Sequence, residues 1–539
     1  MRNTCALGVV LAALLVGVAL RAAAAADWPR WCGPGGRNFS EEAPLPASFS
    51  RGQKSTPTRV DLSSCKNVRW AVRLCSVVYG NPTIADGRVF LGTNNGALRG
   101  DKRFRLKKGG VLQCREEATG RLIWQLIVPH PEKKDLPPLS NITGHNYGVC
   151  SSPTVEGDRL YVVTNAADVL CLDVRGLANG NDGAFQDEAQ YLAGRGNEPL
   201  ELTERDADIL WRFDLMRDKR VGIVPHDAVS SSTLIHGEML YVTTSNSVDN
   251  SHRNVPNPDA PSLIVLDKKT GRLVAADNEG LGHRLWHGLW SSPAKGTVNG
   301  KTLIFFGGGD GVCYAFEAIT AAKDKPRQLR KVWWYDCNPP HYRHRDGKAI
   351  DYYQGDKRKV RKYGEKGNKN DGTYLGPSTI IATPIFHDGR VYLAIGQDPA
   401  HGLGRGLLHC IDAARTGDIT RTGKVWSYDG IQRSVSTVAV ADGLIYAPDI
   451  AGQLHCLDAD TGKCYWVHET RHEAWGGPLV ADGKVYFNTK RSFWVLAAGR
   501  EKKVLHCDPR AGSEASPVAA NGVLYAVLKG WLWALHRQP

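Results

Sequence analysis

Val435-Ser436-Thr437-Val438-Ala439-Val440-Ala441-Asp442-Gly443-Leu444-Ile445-Tyr446 runs on through Ala451-Gly452, Leu454-His455-Cys456-Leu457-Asp458 and Thr461-Gly462 to Tyr465-Trp466. Turn signals at Asp442-Gly443, Ala451-Gly452 and Thr461-Gly462 cut this stretch into four short apolar runs, which spell four strands joined by tight turns. One such unit cannot cover both of its faces. It must stack against copies of itself, and a period of about 40 residues predicts an all-β fold of the propeller type.

Counting copies sets the size of the ring. The start of the first strand recurs at Asn81-Pro82, Ser152-Pro153, Ser232-Thr233, Ser292-Pro293, Thr383-Pro384, Ser436-Thr437, Gly477-Pro478 and Ser516-Pro517, which predicts eight four-stranded antiparallel blades. The last copy ends at Trp531-Leu532-Trp533-Ala534-Leu535 without an outer strand. An unassigned strand at the other end, Asn67 to Leu74, is expected to complete that blade and close the ring, which also hides its edges.

The chain has 539 residues. That length would suggest several domains, but a radial repeat grows by adding blades, so one propeller over 67–539 accounts for it. Arg2, an apolar run from Ala6 to Leu20 and the Ala22 to Ala26 segment read as a signal peptide over 1–26, followed by an extension over 27–66. The expectation is an exported protein, periplasmic or extracellular, monomeric and without a membrane span after cleavage. Cys5 lies at the start of the apolar run, so no lipid-anchored cysteine is expected.

The formal charge is +13, and loss of Arg2 and Arg21 with the signal would leave +11. Much of the excess lies in one insertion, Tyr342 to Tyr374, with Arg343, Arg345, Lys348, Lys357, Arg358, Lys359, Arg361, Lys362, Lys366 and Lys369. Such a run reads first as a solvated loop and second as a contact for an anionic partner. No nucleic-acid motif accompanies it, and no nucleic-acid partner is expected. Of the 13 cysteines, Cys114, Cys171, Cys313, Cys410 and Cys456 occupy third strands, where a small apolar residue packs between blades. Cys32, Cys65, Cys75, Cys150, Cys337, Cys464 and Cys507 remain available for disulfides after export.

Tryptophans 70, 124, 211, 333, 426 and 466 recur in phase on outer strands, and a buried indole removes about 150–250 Å² from water. They read as structural. Thr-Gly at 119–120, 270–271, 422–423 and 461–462 predicts hairpin turns where glycine tolerates positive φ.

With these repeats in view, the chain resembles the eight-bladed propellers built from pyrroloquinoline quinone (PQQ) repeats, which include quinoprotein alcohol dehydrogenases and the outer-membrane assembly scaffold BamB. The resemblance covers Asn67 to the C-terminus and is strongest at Leu457-Asp458-Ala459-Asp460-Thr461-Gly462-Lys463-Cys464-Tyr465-Trp466. Asp27-Trp28-Pro29-Arg30-Trp31-Cys32-Gly33-Pro34, Asp173 to Gly183 and Ile395 to Gly402 are similar to secreted PQQ-like propellers of planctomycete-type bacteria. For the dehydrogenases the resemblance implies PQQ held between a tryptophan and a disulfide of adjacent cysteines, above a calcium ion. This chain has no adjacent cysteine pair.

Second-to-third turns and the links between blades share one face of such a ring, around the central funnel, and the polar and aromatic insertions collect there. The candidate ligand-binding residues are His226, Asp227, Asn246, Asp249, His252, His287, Trp290, Gln397, Asp398, His401 and Trp475. Asp249, Asp310, Asp398 and Asp449 are candidate oxygen ligands for calcium, while His226, His252 and His287 suit a transition metal or general-base work. The bland alternative is that these aspartates cap turns and these histidines satisfy loop carbonyls. The acidic stretch from Asp173 to Asp208 should leave the opposite face as a structured loop, since it does not align with an EF-hand pattern.

No G-x-S-x-G and no phosphate-cradling loop is present, and no catalytic residue is assigned. The function expected is therefore binding or scaffolding on the funnel face, with a protein, glycan or small molecule as partner. The alternative is a quinoprotein oxidoreductase with PQQ stacked on Trp290 or Trp475 and Ca²⁺ among the aspartates.

Overall fold

The four strands spelled by residues 435–466 form a four-stranded antiparallel sheet in the computed structural model, Ala439–Ala441, Leu444–Pro448, Gln453–Asp458 and Cys464–Glu469. The structure describes residues 26–538 apart from 99–102, 104–107, 137–139, 141, 143–144, 253, 351–352, 355–356, 359–376 and 397–403. The apolar N-terminal run and most of the basic insertion therefore lie outside the described residues, as do Gln397, Asp398 and His401.

Eight such sheets are formed, within residues 83–129, 154–214, 234–276, 294–336, 385–428, 439–469, 479–508 and 518–535, numbered here as blades 1 to 8. Blade 8 takes its outer strand from Val68–Arg73, with Trp70 opposite Ala534 and Ala71 opposite Trp533. The ring is an eight-bladed propeller closed by an N-terminal strand.

The outer-strand tryptophans join each blade to the next by one repeated device. Each indole N–H donates to a backbone carbonyl of the following blade: Trp70 to Glu117, Trp124 to Val174, Trp211 to Lys268, Trp333 to Ala413, Trp426 to Ala459 and Trp466 to Gly499, over 2.8–3.1 Å. In four of the six the ring also lies flat against a glycine, because a Cβ on Gly120, Gly176, Gly271 or Gly462 would sit inside the facing indole. Those glycines have φ between +64° and +74°, so both the turn and the contact exclude a side chain. Thr422-Gly423 departs from the expected hairpin. Its connection carries the extra strand Gly417–Asp418, which pairs with the outer strand of blade 4.

Two blades lack the tryptophan: Ala275 and His506 hold its position, opposite Val265 and Val495. Other chain segments fill those gaps. Arg327–Gln328 adds a fifth strand to blade 3, and Phe49 from the extension packs against His506 and Phe493 at 5.1 and 5.5 Å.

At the hub, the small residues that open each first strand form a polar ring. Backbone N–H groups of Asn81, Ser152, Ser232, Thr383 and Gly477 donate to the side-chain oxygens of Ser152, Ser232, Ser292, Thr437 and Ser516, and Ser516 N–H donates to Asn81 Oδ1. This explains the recurring Asn, Ser and Thr. A hydroxyl satisfies a neighbour's amide that the sheets leave unpaired.

The extension is part of the propeller rather than a separate arm. Trp28 bridges Ile84 of blade 1, Pro29 accepts from Val155 of blade 2, Arg37 accepts from Val440 of blade 6, and Phe39–Ser40 pairs with the first strand of blade 7. Trp31 donates to Thr383 Oγ1 of blade 5 at 2.8 Å. The segment thus crosses the hub beneath the polar ring and floors the central channel. The twelve cysteines described are all free thiols, the five on third strands buried at 0 % exposure.

Candidate metal centre

Three loops around blade 3 are laced together before any site residue is placed. Pro225 bridges Asn246, and Ser247 bridges Gly288. Asn246 Oδ1 accepts from Val224 N–H, its amide donates to Asn257 C=O, and Ser247 Oγ donates to the carbonyl of His287 at 2.7 Å. The middle loop, 244–249, therefore carries the first loop on one side and the third on the other. Gly288 is needed for this lacing, since a Cβ there would lie 2.7 Å from Trp290 and 2.8 Å from Ser247 Oγ.

Asp249 then turns the middle loop. Its carboxylate accepts from Ser251 N–H, Ser251 Oγ and Asn254 Nδ2 at 2.6–3.0 Å, and its carbonyl accepts from His252 N–H. The turn holds His252 at φ +57°, while Asp227 and Ser245 sit at +58° and +63°. Three non-glycine residues in the left-handed region within one site store backbone strain, as functional sites commonly do.

The outcome is convergence of three imidazoles. Ligand nitrogens of His226, His252 and His287 all lie within 4.8 Å of one another, with ring centroids 4.6–5.1 Å apart. His226 and His287 are buried, and His252 is half-buried. Asp227 Oδ2 is 3.4 Å from His226 Nε2, and its other oxygen is 3.7 Å from His145 Nε2. Three imidazole nitrogens with one carboxylate beside them form a donor set for zinc, copper, iron or nickel rather than for a hard cation.

The cluster borders the central channel. Asp227, Ala228 and Trp290 belong to the wall of a cavity of about 190 Å³ above the polar ring, with Tyr79, Tyr147, Trp475 and Glu514 around it and Trp31 at its floor. Trp290 is steered by its N–H bond to Ala228 C=O at 3.0 Å and stands edge-on to His287. Trp475 faces Tyr79 at 5.6 Å and Lys490 at 4.8 Å, and its N–H donates to Glu473. Burial pushes the Glu514 carboxyl above the usual carboxylate range.

Among the described residues, the remaining predicted ligands do not join this cluster. Asp310 accepts from Tyr314 OH and Arg284 at the turn of blade 4. Asp449 accepts from Gln432, Ala451 and Gln453 N–H at the turn of blade 6 and meets His455 at 3.2 Å. Asn246 and Asp249 shape loops with their polar atoms. Tyr79, Tyr147 and Glu514 belong to the pocket without having been singled out in the sequence. The positions just before the first-strand starts at Asn81, Ser152 and Ser516 were the available signal.

Residues 404–538 match the repeat-family model described as outer membrane protein assembly factor BamB. That match spans about a quarter of the chain. No curated protein matches it in sequence. Among solved structures, a europium-containing methanol dehydrogenase aligns with a TM-score of 0.52 at 11% identity, covering 93% of this chain and 88% of the other. BamB from Moraxella catarrhalis aligns at 0.48 with 13% identity, over 87% and 97%. Quinohemoprotein alcohol dehydrogenase from Comamonas testosteroni aligns at 0.42 with 11% identity, over 93% and 76%. At 11% identity the likeness to the methanol dehydrogenase is one of fold alone, and the chemistry of this propeller has to be argued from its own residues.

Proposed function

We propose that this PQQ-like propeller is an exported binding protein whose funnel face holds one transition-metal ion between His226, His252 and His287 and presents it to a small ligand in the aromatic cavity. The observation that carries this reading is the approach of three imidazoles from three separate loops to within 4.8 Å. Three histidine ligands leave a coordination position open, and a bound ion would supply Lewis acidity there. The cavity of about 190 Å³ lies below the usual range of about 300–1,000 Å³ for drug-sized ligands, so the ligand is small. Tyr79, Tyr147, Trp290 and Trp475 would contact its apolar surface, and the Asp227 carboxylate, beside His226, would accept a proton or hydrogen bond from it.

PQQ fits these residues poorly. It carries three carboxylates, whereas the described lining of the cavity contains Asp227 and Glu514 and no Lys or Arg. Burying anionic groups beside acids is unfavourable, and Lys490, which stands over Trp475, is already paired with Glu473. Asp310 and Asp449, two of the calcium candidates, are already engaged by their own turns.

The test uses the full chain after export, stripped with chelator and reloaded with Zn²⁺, Cu²⁺ or Co²⁺. One ion per chain is expected, with a four-coordinate Co²⁺ spectrum, and His226→Ala or His287→Ala should lower affinity at least 100-fold while leaving the thermal melt cooperative. Substoichiometric metal in the parent protein, or equal metal retention in the variants, would defeat the reading. Sequencing the N-terminus of the exported form should give Asp27, and a retained Met1 would remove export.

A further inference from the structure

A second group of titratable residues lies on the other face, at the opposite end of the fourth strand of blade 2 from the loop that carries His226. The loop between the third and fourth strands of blade 2 leaves at Asp173, turns through Asn179-Gly180-Asn181-Asp182-Gly183 and a short helix, Glu188–Ala193, and returns at Asp208. Gly180 at φ +117° and Gly183 at +87° fold this turn back onto the fourth strand, where a Cβ on Gly183 would lie 2.6 Å from Leu210 Cα. Carboxylate oxygens of Asp173, Asp182 and Asp208 then come within 4.8 Å of one another.

The bonds within the loop engage both oxygens of Asp173 but leave one oxygen of Asp208 without a donor. Arg175 pairs with Asp173 at 2.9 Å, and Asn179 bridges Asp173 and Asp182. Glu188, fully buried, accepts from Asn181 and from Ile209 N–H. Asp208 is 0 % exposed and takes Asp182 N–H on Oδ2, yet its Oδ1 has no hydrogen-bond partner. A fully buried carboxylate oxygen with no donor is costly unless something positive occupies the space before it.

We infer that Asp173, Asp182 and Asp208 form a calcium site that pins this loop to blade 2. Three carboxylate oxygens that approach within 4.8 Å of one another are hard donors of the kind that bind Ca²⁺. The concave surface in front of Asp173 and Asp182, which also includes Trp211, Arg159, Arg175 and Lys269, leaves room for water to complete the shell.

Trp211 supplies the readout, because a lanthanide in a calcium site near an indole emits when the indole is excited. The exported full chain, stripped with EGTA, is titrated with Tb³⁺ and then with Ca²⁺. A saturable Tb³⁺ signal displaced by Ca²⁺, at one ion per chain, is expected. Asp182→Asn, at an exposed position, should weaken Ca²⁺ binding at least tenfold without unfolding the protein, and Asp208→Asn should weaken it further. His287→Ala should leave it unchanged, so the result stands apart from the histidine centre. The inference is overturned if the parent protein gives no saturable signal, if K⁺ or Mg²⁺ displaces Tb³⁺ as well as Ca²⁺ does, or if Asp182→Asn titrates like the parent.

Discussion

Trp124→Ala, Trp124→Phe and Gly176→Ala together test whether the tryptophan device joins the blades. Trp124 is 0 % exposed, donates to Val174 C=O at 2.8 Å and lies against Gly176 of the next blade. Removing the indole should cost about 3–5 kcal/mol, a large share of the 5–15 kcal/mol by which domains are stable. Phenylalanine keeps most of the ring and strands the Val174 carbonyl, so its cost should be about 1–3 kcal/mol. Gly176→Ala meets two obstacles. Its φ of +64° disfavours any side chain by about 1–2 kcal/mol, and its Cβ would lie 2.7 Å from Asp206 O and 2.8 Å from Trp124 Cγ. Clearing the ring removes one obstacle, so the double variant should lose less than the sum of the singles. Urea midpoints by fluorescence and circular dichroism measure this, provided the two transitions coincide. Equal stability of Trp124→Phe and the parent protein, or strict additivity of Trp124→Ala and Gly176→Ala, would refute the interlocking.

Two further predictions follow from groups outside the pocket. His409 is buried, meets Cys337 C=O at 2.8 Å, and is pushed down to about 4 by burial. Because the unfolded chain protonates this ring near pH 6.5 and the folded chain only near 4, stability should fall as pH drops through that window, by about 3 kcal/mol. His409→Gln should flatten that limb in urea melts at pH 4.5, 5.5 and 7, and an unchanged slope would exclude His409 as its source. Asp310→Asn and Asp449→Asn should each lower stability by about 1–3 kcal/mol through lost turn and side-chain bonds while leaving metal content unchanged. Metal loss in either variant would assign these aspartates to the centre after all.

The architecture was legible because each blade repeats its instructions locally. Trp466 eight residues after Asp458, Gly462 in a left-handed turn and Ser436 before a first strand each do in the fold what their position implied. The missing outer strand of blade 8 identified its substitute at Val68–Arg73, since a ring with one unpaired edge leaves a row of amides without partners. The funnel face was legible as a region, because chain direction within the blades dictates where links emerge.

Which residues meet on that face was decided elsewhere. His226, His252 and His287 have no local spacing that marks a ligand set, and their approach depends on bridges from Pro225 to Asn246 and from Ser247 to Gly288. The same holds for Asp173, Asp182 and Asp208, and for Trp31, which reaches blade 5 from the other end of the chain to floor the channel. Strand periodicity is written in neighbours two residues apart, so the sequence alone determined the blades, their number and the closure of the ring. The meeting of loop side chains depends on hydrogen bonds between segments remote in the chain, and only the tertiary structure chose them.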